Sequence, residues 1–367
     1  MRDVSDAFLE AVAGSNSPVV TCDVWLDGEV IRSGLRPVGG TVEFDMFRDV
    51  EARLSSLTLV DEESDGSRLS QTIHALGTQV NVRAGFDIAG TEETVSLGWF
   101  DVHDVVRQES WSWFDWSDEA QKTSDVATLE GLDLMGVVAR SQFLTPPPQT
   151  TGADAWATIA DLCAGVVSVL DPGLPARTIP ESLVFQWDRL ETIKQIAALW
   201  GAKPVMTPDN QLTLVTDESG DVIADFGLRI NLADWESRSN SENIRNGVTF
   251  VGKDGATGLD LIGTATESDG PARWGGPLGF RPLRAASDLM DTQAKVDAAA
   301  KTRLETEIRS RAVVQEVSAL WHPGIELRDK PRLVLPDRTE DDAMIVGYRL
   351  PLTGGSMSVS LGLPVIL

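Results

Sequence analysis

Cysteine is almost missing from this chain: its 367 residues include only Cys22 and Cys163. Two thiols so far apart give neither a disulfide framework nor the paired spacing of a structural zinc site, and both read as buried side chains. Histidine is nearly as scarce. His74, His103 and His322 are the whole set, and none lies three or four residues from another, which excludes a helical metal pair. Basic residues are outnumbered, 31 Lys and Arg against 56 Asp and Glu, for a net charge of −25. Such a field repels nucleic acid and argues against a basic binding face for it. Long apolar runs are absent too. The longest, Leu162 to Leu170, is too short to span a bilayer, and Met1-Arg2-Asp3-Val4-Ser5-Asp6 has no apolar signal-peptide core. The expectation is synthesis and folding in the cytoplasm, with no stable membrane insertion.

What is present is ample core material, 42% hydrophobic residues, in a chain long enough for two or three domains. Val4, Phe8, Leu9 and Val12 stand at helical spacing, and Ser15-Asn16-Ser17-Pro18 stops the run. Strand patterns follow. Val20, Cys22, Val24 and Leu26 alternate with polar neighbours, and Asp27-Gly28 supplies the positive backbone angles of a tight hairpin before Glu29 to Ile31. Segments 41–46, 50–60, 79–83 and 95–106 continue this pattern, which favours an antiparallel sandwich or barrel.

The proline run Thr145-Pro146-Pro147-Pro148 stiffens the chain and marks a boundary. Beyond it, helices are predicted from Asp154 to Val167 and from Asp188 to Trp200, where Leu190, Ile193, Ala197 and Trp200 repeat at helical intervals. A hairpin over 205–215 turns at Pro208-Asp209-Asn210. Strands return at 246–251, followed by a Gly-rich loop over 252–279 and a helix over 292–309. The close is a β-hairpin, with Met357, Val359 and Leu361 on one face and Ser356, Ser358 and Ser360 on the other. The fold class is therefore mainly β with α+β elements. Its expected domains are a first β-barrel over 1–145, a helix-and-hairpin unit over 146–220 and a second β-barrel over 221–367.

Catalytic chemistry finds little support. His103 beside Asp101 and Asp104 offers metal-ligating atoms, but reads better as a strand histidine. Asp161-Leu162-Cys163-Ala164-Gly165 is a helix interior, not a nucleophile turn. Asp225-Phe226-Gly227 matches a kinase metal motif without the glycine loop or His-Arg-Asp triplet that would give it meaning. Among 56 carboxylates no pair can be singled out for glycoside hydrolysis. No enzyme activity, cofactor or metal is expected. The aromatic segment Trp111-Ser112-Trp113-Phe114-Asp115-Trp116 has three readings: core packing, a subunit interface, or a stacking surface for sugars.

Several segments together resemble minor tail proteins of long-tailed phages that infect actinobacteria: residues 1–12, Val95-Ser96-Leu97-Gly98-Trp99-Phe100, and Trp274-Gly275-Gly276-Pro277-Leu278-Gly279. The stretch Ile193 to Lys203 with its hairpin, Ile244 to Val248, and Tyr348-Arg349-Leu350-Pro351-Leu352 are similar to the baseplate or tail-tip hub family. The resemblance implies two tube-like antiparallel β-barrels per chain and a homotrimer forming a pseudo-sixfold ring at the tail tip of the virion. Its partners would be the distal tail protein or tail tube above, the fibre or spike below, and the tape measure protein, with DNA only as transiting cargo. The candidate interface residues are Trp111, Trp113, Trp116, Trp274, Gly275 and Gly276. Two other functions compete with this reading: a host-glycan-binding tail adhesin, and a cell-wall hydrolase built on carboxylates.

Overall fold

A computed structural model describes every residue except 15–16, 61–72, 114–120, 149, 182, 217–221, 228–231, 239–243, 255, 271, 288–289, 312–313, 335–339 and 363–367. The chain opens with α1 (Asp6–Ala13), whose N-cap Ser5 hydroxyl accepts the Phe8 N–H at 3.1 Å, satisfying a donor that has no partner inside the helix. Phe8 and Val12 of the face read from sequence are buried together with Ala11, whereas Leu9 is exposed. Seven strands follow: β1 (Ser17–Leu26), β2 (Glu29–Leu35), β3 (Gly39–Asp45), β4 (Ala52–Val60), β5 (Thr78–Ile88), β6 (Thr91–Ser112) and β7 (Gln121–Asp133). Asp27 and Gly28 adopt φ of 51° and 80°, the left-handed pair that lets a two-residue turn follow the strand twist between β1 and β2.

A short helix, α2 (Met135–Arg140), leads into the middle of the chain, which holds α3 (Ala155–Cys163), β8 (Ser168–Val169), α4 (Arg189–Ala197), β9 (Lys203–Met206) and β10 (Gln211–Val215). Asp154 and Asp188 cap α3 and α4 through their side-chain oxygens. β9 and β10 form the hairpin read from Pro208-Asp209-Asn210, and β8 adds to it in parallel. Ile159, Ile193, Ile196 and Leu212 centre a hydrophobic cluster that also takes in Met135 and Val138 of α2. The middle core thus begins about ten residues before the proline run.

The last third contains β11 (Val222–Gly227), β12 (Leu232–Arg238), β13 (Gly247–Lys253), β14 (Asp260–Thr266), β15 (Pro282–Ala286), α5 (Gln293–Arg311), β16 (Val314–Leu320), β17 (Lys330–Val334), β18 (Glu340–Asp342), β19 (Met344–Pro351) and β20 (Ser356–Gly362). The stretch 252–279, read from sequence as a Gly-rich loop, includes β14, which pairs antiparallel with β13 from Lys253 opposite Asp260 to Gly247 opposite Thr266. Its glycines hid a strand because one of them, Gly263, lies under a helix, as described below.

Strands from both ends of the chain merge. One sheet of eleven runs in the order β12-β16-β20-β19-β3-β4-β7-β6-β5-β1-β2. Its joint is the antiparallel pairing of β3 with β19, from Thr41 opposite Pro351 to Asp45 opposite Gly347. The core beneath is shared: Leu54, Phe100 and Leu129 from the first strands cluster with Val317, Met357, Val359 and Leu361 from the last. Each such side chain contributes about 1.5–3 kcal/mol through burial. The mainly-β class with α+β elements is what the residues build.

Candidate assembly surfaces

At the β3–β19 seam Phe44 and Tyr348 stand directly opposite and stack with ring centroids 4.5 Å apart. The Arg2 guanidinium sits 5.8 Å from the Phe44 ring centre and donates to the carbonyls of Ser96 (2.9 Å), Pro323 (2.9 Å) and Ile325 (2.5 Å). Tyr348 also donates its hydroxyl to Ile325 O, and burial pushes its pKa up to about 12, so it stays a neutral donor. Beside it, Glu51 accepts both terminal nitrogens of Arg328, at 3.2 and 2.5 Å, and the ammonium of Lys203 at 2.9 Å. Lys203 donates in addition to the carbonyls of Met46 and Arg48, both at 2.6 Å. Glu51 therefore ties the first strands, the middle hairpin and the last third of the chain to one carboxylate. A cleft of about 270 Å³ opens at this meeting point, walled by Arg2, Trp99, Met206, Asn210, Arg328 and Tyr348 among others.

Asp133, which also lines the cleft, accepts the backbone N–H groups of Ala52 and Met135, both at 2.9 Å, and burial raises it to about 7. One of its oxygens is occupied by the start of β4 and the other by the start of α2. His322 is buried beside Phe8, its Nδ1 accepts the Gly324 N–H at 3.2 Å, and burial, then the charge of Arg2, lowers it to about 4. Cys163 belongs to the middle cluster and His103 is exposed on β6, with the neighbouring Asp101 held by Arg140. Among the described residues no three His, Cys, Asp or Glu side chains are grouped to hold a metal ion. Both cysteines are free and buried. Asp225-Phe226-Gly227 lies in β11, paired in parallel with β17.

A second surface is a ribbon. β6 pairs with β5 as far as Asp101 and with β7 to its end, whereas β4 covers β7 only as far as Val126. Among the described residues the last rungs, from Glu109 opposite Asp125 to Ser112 opposite Gln121, pair only β6 with β7. Trp111 is 48% exposed and Trp113, the next residue on that face, 72%. Core packing is thus not what these two rings do. Trp116 lies outside the described residues.

A third surface is the sheet β14-β13-β15. Its register sets Ile262, Val251 and Ala286 in one row and Thr264, Thr249 and Arg284 in the next, all on one face. The opposite face carries Val248, Phe250 and Gly263, and α5 packs there so closely that a Cβ on Gly263 would lie 2.7 Å from the Val296 carbonyl oxygen. On the first face Trp274 lies flat against Gly247, where a Cβ would come 2.4 Å from its ring, and Phe280 meets it edge-on at 5.2 Å. Gly275 takes a positive φ of 75° and Gly276 bridges to Gly279, which folds the chain back and brings both rings to the sheet. Sequence reasoning singled out Trp274, Gly275 and Gly276 but missed Gly247, whose small size makes the contact. Gly247→Ala is expected to displace Trp274 at a cost of about 1–3 kcal/mol, read as a lower melting temperature with altered tryptophan fluorescence; unchanged melting would show that the ring does not rest there.

No protein-family model and no curated protein matches this chain. Solved structures do. A tail protein from Neisseria meningitidis MC58 shares 14% identity at a TM-score of 0.62, over 94% of this chain and 96% of its own. The 43 kDa tail protein of prophage MuSo2 from Shewanella oneidensis shares 15% at a TM-score of 0.62, over 94% and 98%. An Escherichia coli component of the type VI secretion system, itself described as structurally similar to two bacteriophage T4 tail proteins, shares 9% at a TM-score of 0.51, over 93% and 76%. The fold, along nearly the whole chain, is that of phage tail proteins.

Proposed function

We propose that the protein is a structural virion component, a tail-tip or baseplate hub of a long-tailed phage of actinobacteria, without enzymatic activity. The observation that carries this reading is the β3–β19 seam. Two strand sets from opposite ends of one chain stand side by side in a single wall, which is what a subunit needs to offer two tube-like β units to a ring. Three copies then present six such units to a sixfold tail tube or distal tail protein, while keeping threefold symmetry for a fibre or spike below. Tape measure protein and DNA pass through the opening, and a net charge of −25 keeps DNA from adhering to the wall.

The purified protein is expected to run at three times its 39.6 kDa chain mass and to appear by electron microscopy as a ring with a central opening. A monomer at every concentration and no ring would sink the hub. Immunogold label should lie at the distal end of the tail. The exposed Trp111 and Trp113 favour one second reading, a glycan-binding adhesin. That reading requires binding to host cell-wall glycans that is lost in Trp113→Ala, and label on peripheral fibres.

A further inference from the structure

The unit formed by β13, β14, β15 and α5 has one covered face and one open one. Among the described residues its buried apolar side chains are Val248, Val296, Ala300 and Leu304. Four is a thin core for a unit of some sixty residues, which is tied to the middle cluster through Met290, and small units of this kind gain from a further apolar contact. The open face has the apolar surface for one: Ile262 is 59% exposed and Phe280 69%, with Val251 and Trp274 alongside.

Charge says what covers it. From Arg245 to Arg311 the sequence has ten Lys and Arg and nine Asp and Glu, a net of +1, which leaves −26 on the rest of the chain. Copies carrying −25 each repel one another over most of their surfaces. A contact made through this least acidic unit gains when it meets the acidic remainder of a neighbour; five of its ten basic residues lie on α5, and the open face itself carries Lys253, Asp260 and Arg284. Arg284 stands on the open face in the row beside Ile262, and Arg273 is exposed next to Trp274.

We infer that the open face of the β14-β13-β15 sheet docks against an acidic surface of a second copy of this chain and is the contact that holds the assembly together. This rests on the ring reading above but can fail without it. The test compares the assembly of wild type, Ile262→Asp and Arg284→Glu by mass photometry over a concentration series, with thermal melting as the control for folding. Both side chains are exposed, so melting temperatures should stay within about 2 °C of wild type. The dissociation constant of the assembly should rise about thirtyfold or more for Ile262→Asp, as for an interface hot spot.

Variants that assemble as wild type would overturn self-docking and leave the ring standing. If those variants also lost binding to a recombinant distal tail protein, the face would belong to that partner instead. A wild type that never assembles would overturn both readings. A wild type that forms a dimer which Ile262→Asp splits would keep this docking face and remove the ring.

Discussion

Replacing Glu51 by alanine should lower the stability of the folded chain by about 3–5 kcal/mol, the usual cost of stranding a buried charge. Arg328 is almost wholly buried and gives both terminal nitrogens to Glu51, so the variant leaves its guanidinium in a low-dielectric site without a carboxylate. Lys203 is more exposed and keeps two backbone carbonyls, so it loses less. Desolvation of the charges offsets much of their attraction, and the net worth of the intact pair is small. The double variant Glu51→Leu with Arg328→Met should accordingly recover most of the loss. Denaturant unfolding of the single and double variants checks this, and equal losses in both would show that the packing around Glu51 matters more than its charge.

Stability against pH should expose two buried groups whose effects oppose each other. Asp133 has a folded pKa of about 7 against 3.8 unfolded, so the folded state holds its proton more tightly. Its contribution is fully present below 3.8 and is lost as pH rises through 7. His322 has a folded pKa of about 4 against 6.5 unfolded; its contribution is present above 6.5 and is lost as pH falls through 4. At about 1.4 kcal/mol per unit the two are worth roughly 4 and 3 kcal/mol across the same window. The difference in unfolding free energy between wild type and Asp133→Asn should therefore favour the variant increasingly as pH rises from 4 to 7. For His322→Gln the advantage should grow in the other direction, as pH falls from 6.5 to 4. Flat difference curves would mean that neither group changes its proton affinity on folding.

Local features of this fold were legible and long-range ones were not. The alternation of Met357, Val359 and Leu361 announces β20, and Asp27-Gly28 announces its turn, because both signals lie within a few residues. β7 escaped because Gln121 to Asp125 is polar, its partner β6 supplying the hydrogen bonds. β14 escaped because its central glycine reads as a loop until α5 is seen above it. Nothing near Thr41 or Pro351 marks them as partners across a seam, since pairing across the whole chain leaves no local pattern. Of the candidate residues, Trp111 and Trp113 stand out by composition alone, and what the structure adds is that both rings are exposed. The support under Trp274 required knowing that Gly247 lies beneath it.

The seam also sets a timetable for biosynthesis. β3 leaves the ribosome early, and its partner β19 follows about 300 residues later. At roughly 5–20 residues per second that is about 15–60 s during which the edge of β3 and the apolar side of the first strands wait without their final cover. Open strand edges of this kind pair with whatever other chain is near, and β pairing at such sequence distance is slow to form. A nascent chain shielded by chaperones, or made slowly at low temperature, should reach the eleven-stranded sheet with less aggregation than one released all at once from denaturant.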